Sequence, residues 1–357
     1  MSRAASYFAY VGARTTKERR ARGNGLNVYE VEAHTGTWGH IQLLSDLINP
    51  SYLAFDRTHR FLYAVHGDLS DISAFAIDGA SGKLRTINRQ STQGTNPVHL
   101  AIDPTNNFVA VANHNTSTLV LLPRQDDGSL GPVIDLVKLE GNIGPHREEQ
   151  PFAKPHQVEF DLQGRFIIVP DKGLDLIFTY RIDAQAKKLV LASKPLQARE
   201  GAGPRHVTFH PSQRFAYVVN ELDSTVSAHH YDPETGTLQT FQVISTLPDT
   251  FTGNSRASEI AISSDGRFVY ASNRGHDSVA VFSVNASDGC LMSVGWPPTG
   301  GNTPRFFTLD PNGGVLFAAN EDSDTIVPFT IDKGNGLLTR KERSLQIGSP
   351  VCILFRT

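Results

Sequence analysis

Short apolar runs broken by turn residues fill this chain, and they fall into a repeating frame. A small or polar residue, a Pro, two free positions and an apolar residue recur at Pro50, Pro97, Pro155, Pro204, Ala257 (the one variant), Pro304 and Pro350. The intervals are 47, 58, 49, 53, 47 and 46 residues, and each copy opens a strand. In the unit 203–247 the pattern predicts four strands, at 207–210, 215–219, 225–231 and 238–245. Between them lie Pro211-Ser212-Gln213-Arg214, Asn220-Glu221-Leu222-Asp223-Ser224 and Asp232-Pro233-Glu234-Thr235-Gly236, all rich in turn formers. A period of this length holding several short strands is the mark of a β-propeller, in which each unit is a blade.

The other units match strand for strand. Second strands such as Phe108-Val109-Ala110-Val111-Ala112 are apolar on both faces, as strands packed between two neighbouring blades must be. The seventh copy, Ser349-Pro350-Val351-Cys352-Ile353-Leu354-Phe355, ends the chain with a first strand and no second. The chain begins with an orphan second strand at 7–11, followed by strands at 26–32 and near 40–45. Joining the two ends completes a blade and removes a free sheet edge. The expected fold is therefore all-β, a seven-bladed β-propeller with four antiparallel strands per blade, one blade closed by both termini, and a single domain over 1–357. Two segments depart from the repeat: a basic loop at 14–24, expected to be solvated, and an insertion at 140–154 that accounts for the 58-residue interval.

Composition narrows the function. With 33 basic and 36 acidic side chains the net charge is −3, which gives no general attraction to nucleic acid or to an anionic membrane. Cys290 and Cys352 sit in apolar strand surroundings and are expected as buried thiols, not a disulfide scaffold. The first ten residues contain no apolar core of a signal peptide, and no run of about 18 apolar residues occurs, so a cytoplasmic location is expected.

Topology then brings distant residues together. The start of a first strand and the end of the second lie at the same end of a blade, so both sets share one rim of the central channel. One set reads Ser51-Tyr52, Val98-His99, His156-Gln157, Arg205-His206, Ser258-Glu259, Arg305-Phe306 and Val351-Cys352. The other reads Gly12, His66, Asn113-His114, Asp171-Lys172, Asn220-Glu221, Asn273-Arg274 and Asn320-Glu321. Asn113, Asn220, Asn273 and Asn320 recur at equivalent places and read as turn formers. Asp56, Asp103, Asp161, Asp265 and Asp310 read the same way on the opposite face, and His99 and His114 as structural histidines. Residues that break the repeat are the functional candidates: His156, Asp171, Lys172, Arg205, His206, Glu221, Glu259, Arg274 and Arg305. Arginines fork onto carboxylate or phosphate, and Glu or His can move protons, so this rim suits binding and turnover of a small anion. There is no paired-Cys site, no His-Glu-x-x-His and no Gly-x-x-x-x-Gly-Lys-Ser/Thr loop, so no metal or cofactor is expected. No Trp-Asp dipeptide repeats near the hairpins.

Three strings carry a family resemblance: Gly203-Pro204-Arg205-His206-Val207-Thr208-Phe209-His210-Pro211, Asn220-Glu221-Leu222-Asp223-Ser224-Thr225-Val226-Ser227, and the run from Glu259 through Asn273-Arg274-Gly275-His276-Asp277-Ser278. They resemble the lactonase family of seven-bladed propellers, which includes bacterial 6-phosphogluconolactonases and a fungal muconate lactonizing enzyme. The resemblance implies metal-free hydrolysis of a lactone ring, or its reversal, with His156, Arg205, Glu221 and Arg274 matching the family site. Arg147 and Gln150 match an Arg-Gln pair of the family. The expected activity is hydrolysis of a small anionic sugar lactone, foremost 6-phosphogluconolactone, with Glu221 or His156 activating water. Arg205 and Arg274 would stabilise the oxyanion, and Lys172, Arg305 and Arg147 would hold phosphate. A muconate-type cycloisomerase and a non-catalytic binding propeller are the alternatives.

Overall fold

The computed structural model describes residues 6–32 and 36–357, and its strands form seven antiparallel sheets set around a ring. Six blades follow one another along the chain, at 50–91, 97–138, 155–197, 204–245, 256–295 and 304–346. In blade 4 the order from the axis outward is Pro204–Phe209, Phe215–Asn220, Thr225–Asp232 and Thr237–Ser245. The closing blade takes its innermost strand, Pro350–Arg356, from the C-terminal end, and Ser6–Ala13, Leu26–Glu32 and Trp38–Leu44 from the N-terminal end. The expected number of blades and the mode of closure are both observed.

Two details differ from the sequence-based expectation. The outer strands of blades 3 and 6 are each split in two, at Lys188–Leu191 with Leu196–Gln197 and at Leu338–Arg340 with Leu345–Gln346. In blade 3 the first strand is reduced to Glu159–Phe160, preceded by an isolated bridge from Pro155 to Asp171. The physical reason is the adjoining insertion. Its last residues are tied to the Asp171 side chain, and the chain between 156 and 158 leaves the ladder.

A repeated inter-blade clamp sets the ring geometry. In the closing blade and in blades 1, 4 and 5 the second strand carries a Phe two residues before a buried Tyr, and both meet the hairpin glycine of the next blade. Tyr63 Oη donates to Gly128 O at 2.9 Å, Tyr217 to Gly289 O at 2.9 Å and Tyr10 to Gly82 O at 2.8 Å. Gly128 has φ +83°, and a Cβ there would lie 2.1 Å from Phe61 Cδ1, so the position admits only glycine. The repeated aspartates act on the opposite face: Asp56 Oδ1 accepts the N–H groups of Arg60 and Phe61 at 2.8 and 2.9 Å. Asn113, Asn220, Asn273 and Asn320 each donate to a Ser or Thr hydroxyl opening the third strand, the structural use expected of them.

Candidate active site

The recurring Pro does more than open a strand. In blades 1, 2, 4 and 6 the register between first and second strands shifts immediately after it, between Pro50 and Tyr52, Pro97 and His99, Pro204 and His206, and Pro304 and Phe306. A bulge leaves one residue outside the ladder and re-aims its side chain. In these blades the freed residues are Ser51, Val98, Arg205 and Arg305, and two of the four are arginines. The first residue after each second strand, or in blade 5 its last residue, forms a neighbouring ring of positions: Arg14, Gly67, His114, Lys172, Glu221, Arg274 and Glu321.

A cleft of about 300 Å³, counting the space open to solvent, sits at this mouth, and its walls include Arg14, Tyr52, His156, Arg205, His206, Glu259 and Arg305. Beneath it Glu221 is the electrostatic hub. Its Oε2 meets Arg205 Nε at 3.0 Å and Arg274 Nη2 at 3.3 Å, and its Oε1 meets Lys172 Nζ at 3.1 Å. Burial alone would raise this carboxyl, but Arg274, Lys172, Arg205 and Arg305 outweigh it and hold it well below the usual carboxylate range. Burial, with Arg274 and Arg305 nearby, pushes the Arg205 guanidinium down to about 9, which still leaves it charged at neutral pH. Arg205 Nη1 also donates to Ser258 O at 2.6 Å.

A second chain of contacts crosses the cleft wall. Glu259 Oε1 lies 2.8 Å from His206 Nδ1, and His206 Nε2 lies 3.2 Å from His156 Nδ1. With Glu259 ionised, His206 donates from Nδ1 and keeps a lone pair on Nε2, which accepts the Nδ1–H of His156. The lone pair of His156 is then on Nε2, at the cleft. Burial, followed by Arg205, holds both imidazoles well below their usual range and so neutral at pH 7. Burial pushes Glu259 up to about 7, and its Oε2 is buried without a hydrogen-bond partner.

Most of the residues singled out from the sequence meet here, but two do not. Asp171 is fully buried and faces backbone: its Oδ1 accepts the N–H groups of Lys154, Gly173 and Leu174, each at 2.9 Å. It organises the turn that carries Lys172. Arg147 is exposed on the insertion and lines neither the cleft nor the ion-pair chain. The insertion contributes Glu149 instead, whose Oε2 meets Lys172 Nζ at 3.0 Å and whose Oε1 meets Arg256 Nη1 at 2.5 Å. Gln150, buried, donates to Lys172 O at 2.8 Å.

Arg14, Tyr52, Glu149 and Arg256 were not selected from the sequence. Gly12 was expected at the rim of the closing blade, but the strand continues to Ala13, which pairs with Pro350 across the same bulge as in the other blades, so Arg14 is the rim residue. Arg14 is 2% exposed, so the segment 14–24 is not wholly a solvated loop. The short helix Lys17–Arg19 in it is pinned to blade 1 by the Arg19–Asp68 ion pair. Among the described residues no group of three or more His, Cys, Asp or Glu side chains is placed to hold a metal ion, and no helix is long and apolar enough to cross a membrane.

Comparison with known proteins agrees with this geometry along nearly the whole chain. The family described as lactonase, 7-bladed beta-propeller, matches residues 8–355. A 6-phosphogluconolactonase of Bacillus subtilis (strain 168) is 36% identical over 353 residues, 98% of each chain. A 6-phosphogluconolactonase of Formosa agariphila is 32% identical, covering 95% of this chain and 96% of the relative. Among solved structures, a periplasmic gluconolactonase of Pseudomonas aeruginosa superposes with TM-score 0.91 at 28% identity, over 99% of both chains. The blade count, the bulged rim and these matches place the chain in the lactonase family of seven-bladed β-propellers.

Proposed function

We propose that this protein is a lactonase that hydrolyses 6-phosphogluconolactone to 6-phosphogluconate at the bulged rim. The observation that carries the chemistry is the chain Glu259–His206–His156, which ends at a cleft also lined by Arg14, Arg205 and Arg305. The names of the relatives in Bacillus subtilis and Formosa agariphila support the substrate.

His156 Nε2 removes a proton from water as the oxygen bonds to the ring carbonyl carbon. The carbonyl oxygen takes up the electron pair, and Arg205 and Arg305, both on the cleft wall, stabilise that oxyanion. Preorganised donors of this kind are worth about 2.7–4 kcal/mol each in barrier height. As the tetrahedral centre collapses, the bond to the ring oxygen breaks and the imidazolium returns its proton to that leaving oxygen. Glu221 is not the base in this scheme. Both its oxygens are engaged by cations, and unlike His156 it does not line the cleft. Its part is to hold Arg205, Arg274 and Lys172 in place. For location we propose the cytoplasm, supported by the two cysteines staying unpaired.

The test is acid release in a pH-stat, corrected for spontaneous ring opening, with His156→Gln beside the unaltered protein. General base catalysis contributes about 10²–10⁴-fold, and kcat should fall by that amount with KM little changed. Equal turnover by the two proteins would remove His156 from the mechanism.

A further inference from the structure

Next to the cleft, on the same rim, lies a second and more open pocket of about 780 Å³, counting the space open to solvent, lined by His146, Leu222, Asn254, Ser255, Arg256 and Arg274. None of the steps above uses His146 or Arg256. Both lie where the chain leaves the blade repeat. His146 comes from the insertion. Arg256 occupies the place before the Pro position, where the other blades carry Asn49, Asn96, Lys154, Gly203, Thr303 and Ser349.

The charges here do not balance. One unbroken run of ion pairs goes from Arg256 to Glu149, on to Lys172 and then Glu221, and ends on both Arg205 and Arg274. It holds four cations and two carboxylates, an excess of two positive charges. Arg274 joins the two compartments: it contacts Glu221 under the cleft and lines the outer pocket, while its Nε is buried without a hydrogen-bond partner. His146 Nδ1 accepts the N–H of Glu149 at 3.2 Å, so a neutral imidazole carries its proton on Nε2, where it is a donor. Arg205, on the cleft wall, and Arg274, on the outer pocket, bind the same Glu221 oxygen at 3.0 and 3.3 Å, so at this point a single side chain separates the two compartments.

We propose that this outer pocket is the phosphate subsite of the enzyme, with Arg256, Arg274 and His146 receiving a phosphomonoester while the lactone ring lies in the cleft. A phosphomonoester carries −1.5 to −2 charges near pH 7, which matches the excess. Guanidiniums bind it through paired donors. The inference rests on the lactonase reading, and it assigns recognition of phosphate to Arg256, Arg274 and His146 in place of the Lys172, Arg305 and Arg147 expected from the sequence.

The experiment compares kcat/KM for 6-phosphogluconolactone and for unphosphorylated gluconolactone in the unaltered protein, Arg256→Ala and Arg256→Lys. Arg256 is 45% exposed at its side chain, so its truncation leaves the core untouched. Losing one hydrogen bond to a charged group should reduce the ratio of the two kcat/KM values by about 10- to 100-fold, carried mainly by KM for the phosphorylated lactone, with Lys restoring part of it. An unchanged ratio in Arg256→Ala would overturn the assignment. A parallel arm measures binding of 6-phosphogluconate and of gluconate by calorimetry and needs no turnover. If no lactone is hydrolysed, the lactonase reading fails, and the subsite is then judged by this arm alone. A tenfold or greater loss of affinity for 6-phosphogluconate in Arg256→Ala supports it. Equal affinity for the two acids in the unaltered protein rejects it.

Discussion

Neutralising the hub, Glu221→Gln, tests the electrostatic design most directly. The carboxylate is 4% exposed and has three cations within 3.3 Å, with Lys172, Arg205 and Arg274 exposed by only 7, 3 and 14% at their side chains. At an effective dielectric near 20, a unit pair about 4 Å apart is worth about 4 kcal/mol, before the cost of withdrawing both charges from water. Removing one partner from a buried pair typically costs 3–5 kcal/mol. Gln keeps an acceptor for one arginine, so the low end applies, about 3 kcal/mol, or a fall in Tm of roughly 6 °C at about 2 °C per kcal/mol. The pH dependence has a definite sign. A carboxyl held below its unfolded pKa stabilises fully above about pH 4.5, and this is lost as pH falls through the lower folded value. Chemical unfolding of both proteins should therefore give a constant difference from pH 8 to about pH 5 that shrinks in stronger acid. A difference below about 1 kcal/mol, or one that grows toward acid, would refute the hub. In activity assays kcat/KM should fall as the arginines lose their tether, while the acid limb of the pH–rate profile survives. Loss of that limb would make Glu221 the base.

Two further predictions concern groups with different work. Glu259 is pushed up to about 7 against a usual 4.5, so relative to Glu259→Gln the native protein should lose roughly 3 kcal/mol of stability as pH rises from about 4.5 to about 7. A parallel pH profile for the two proteins in unfolding experiments would show that the carboxyl is not buried as described. Gly128→Ala places a Cβ 2.1 Å from Phe61 Cδ1 at φ +83°, and backbone strain plus overpacking should cost about 2–4 kcal/mol. A thermal shift of less than about 2 °C would argue against the inter-blade clamp.

The fold was legible because most blades repeat the same punctuation. The Pro, the turn Asp, the second-strand Phe and the hairpin Gly stand at fixed places, and each does one backbone task in the structure. The site was legible where function breaks that punctuation: Arg205, His206, Glu221, Glu259 and Arg274 all converge. What escaped was geometry that residue identity does not encode. The second strand of the closing blade runs on to Ala13, two residues past its apolar run at 7–11, so strand patterning alone assigned the rim to Gly12 instead of Arg14. Asp171 had the right chemistry, but its turn aims it at three backbone N–H groups. Glu149 and Arg256 are 107 positions apart, one inside an insertion without repeat equivalents, so no periodic argument could join them.

The distribution of charge around the ring explains why a symmetrical scaffold can orient an asymmetric substrate. Blades 1 and 2 put Ser51, Val98, Gly67 and a neutral His114 at the two rings of rim positions, whereas blades 3 to 6 and the closing blade put Lys172, Arg205, Glu221, Arg274, Arg305, Glu321 and Arg14 there. Ladder hydrogen bonding constrains the Asn and Asp positions of every blade, but the residue freed by the bulge has no ladder partner and can change without loosening its sheet. Charge has collected on the side of the mouth away from blades 1 and 2, with Arg205 and Arg305 at bulge positions where the ladder places no demand. A ligand with one anionic end and one neutral polyol end meets a field that differs across the channel, and it settles in one direction before any bond is broken.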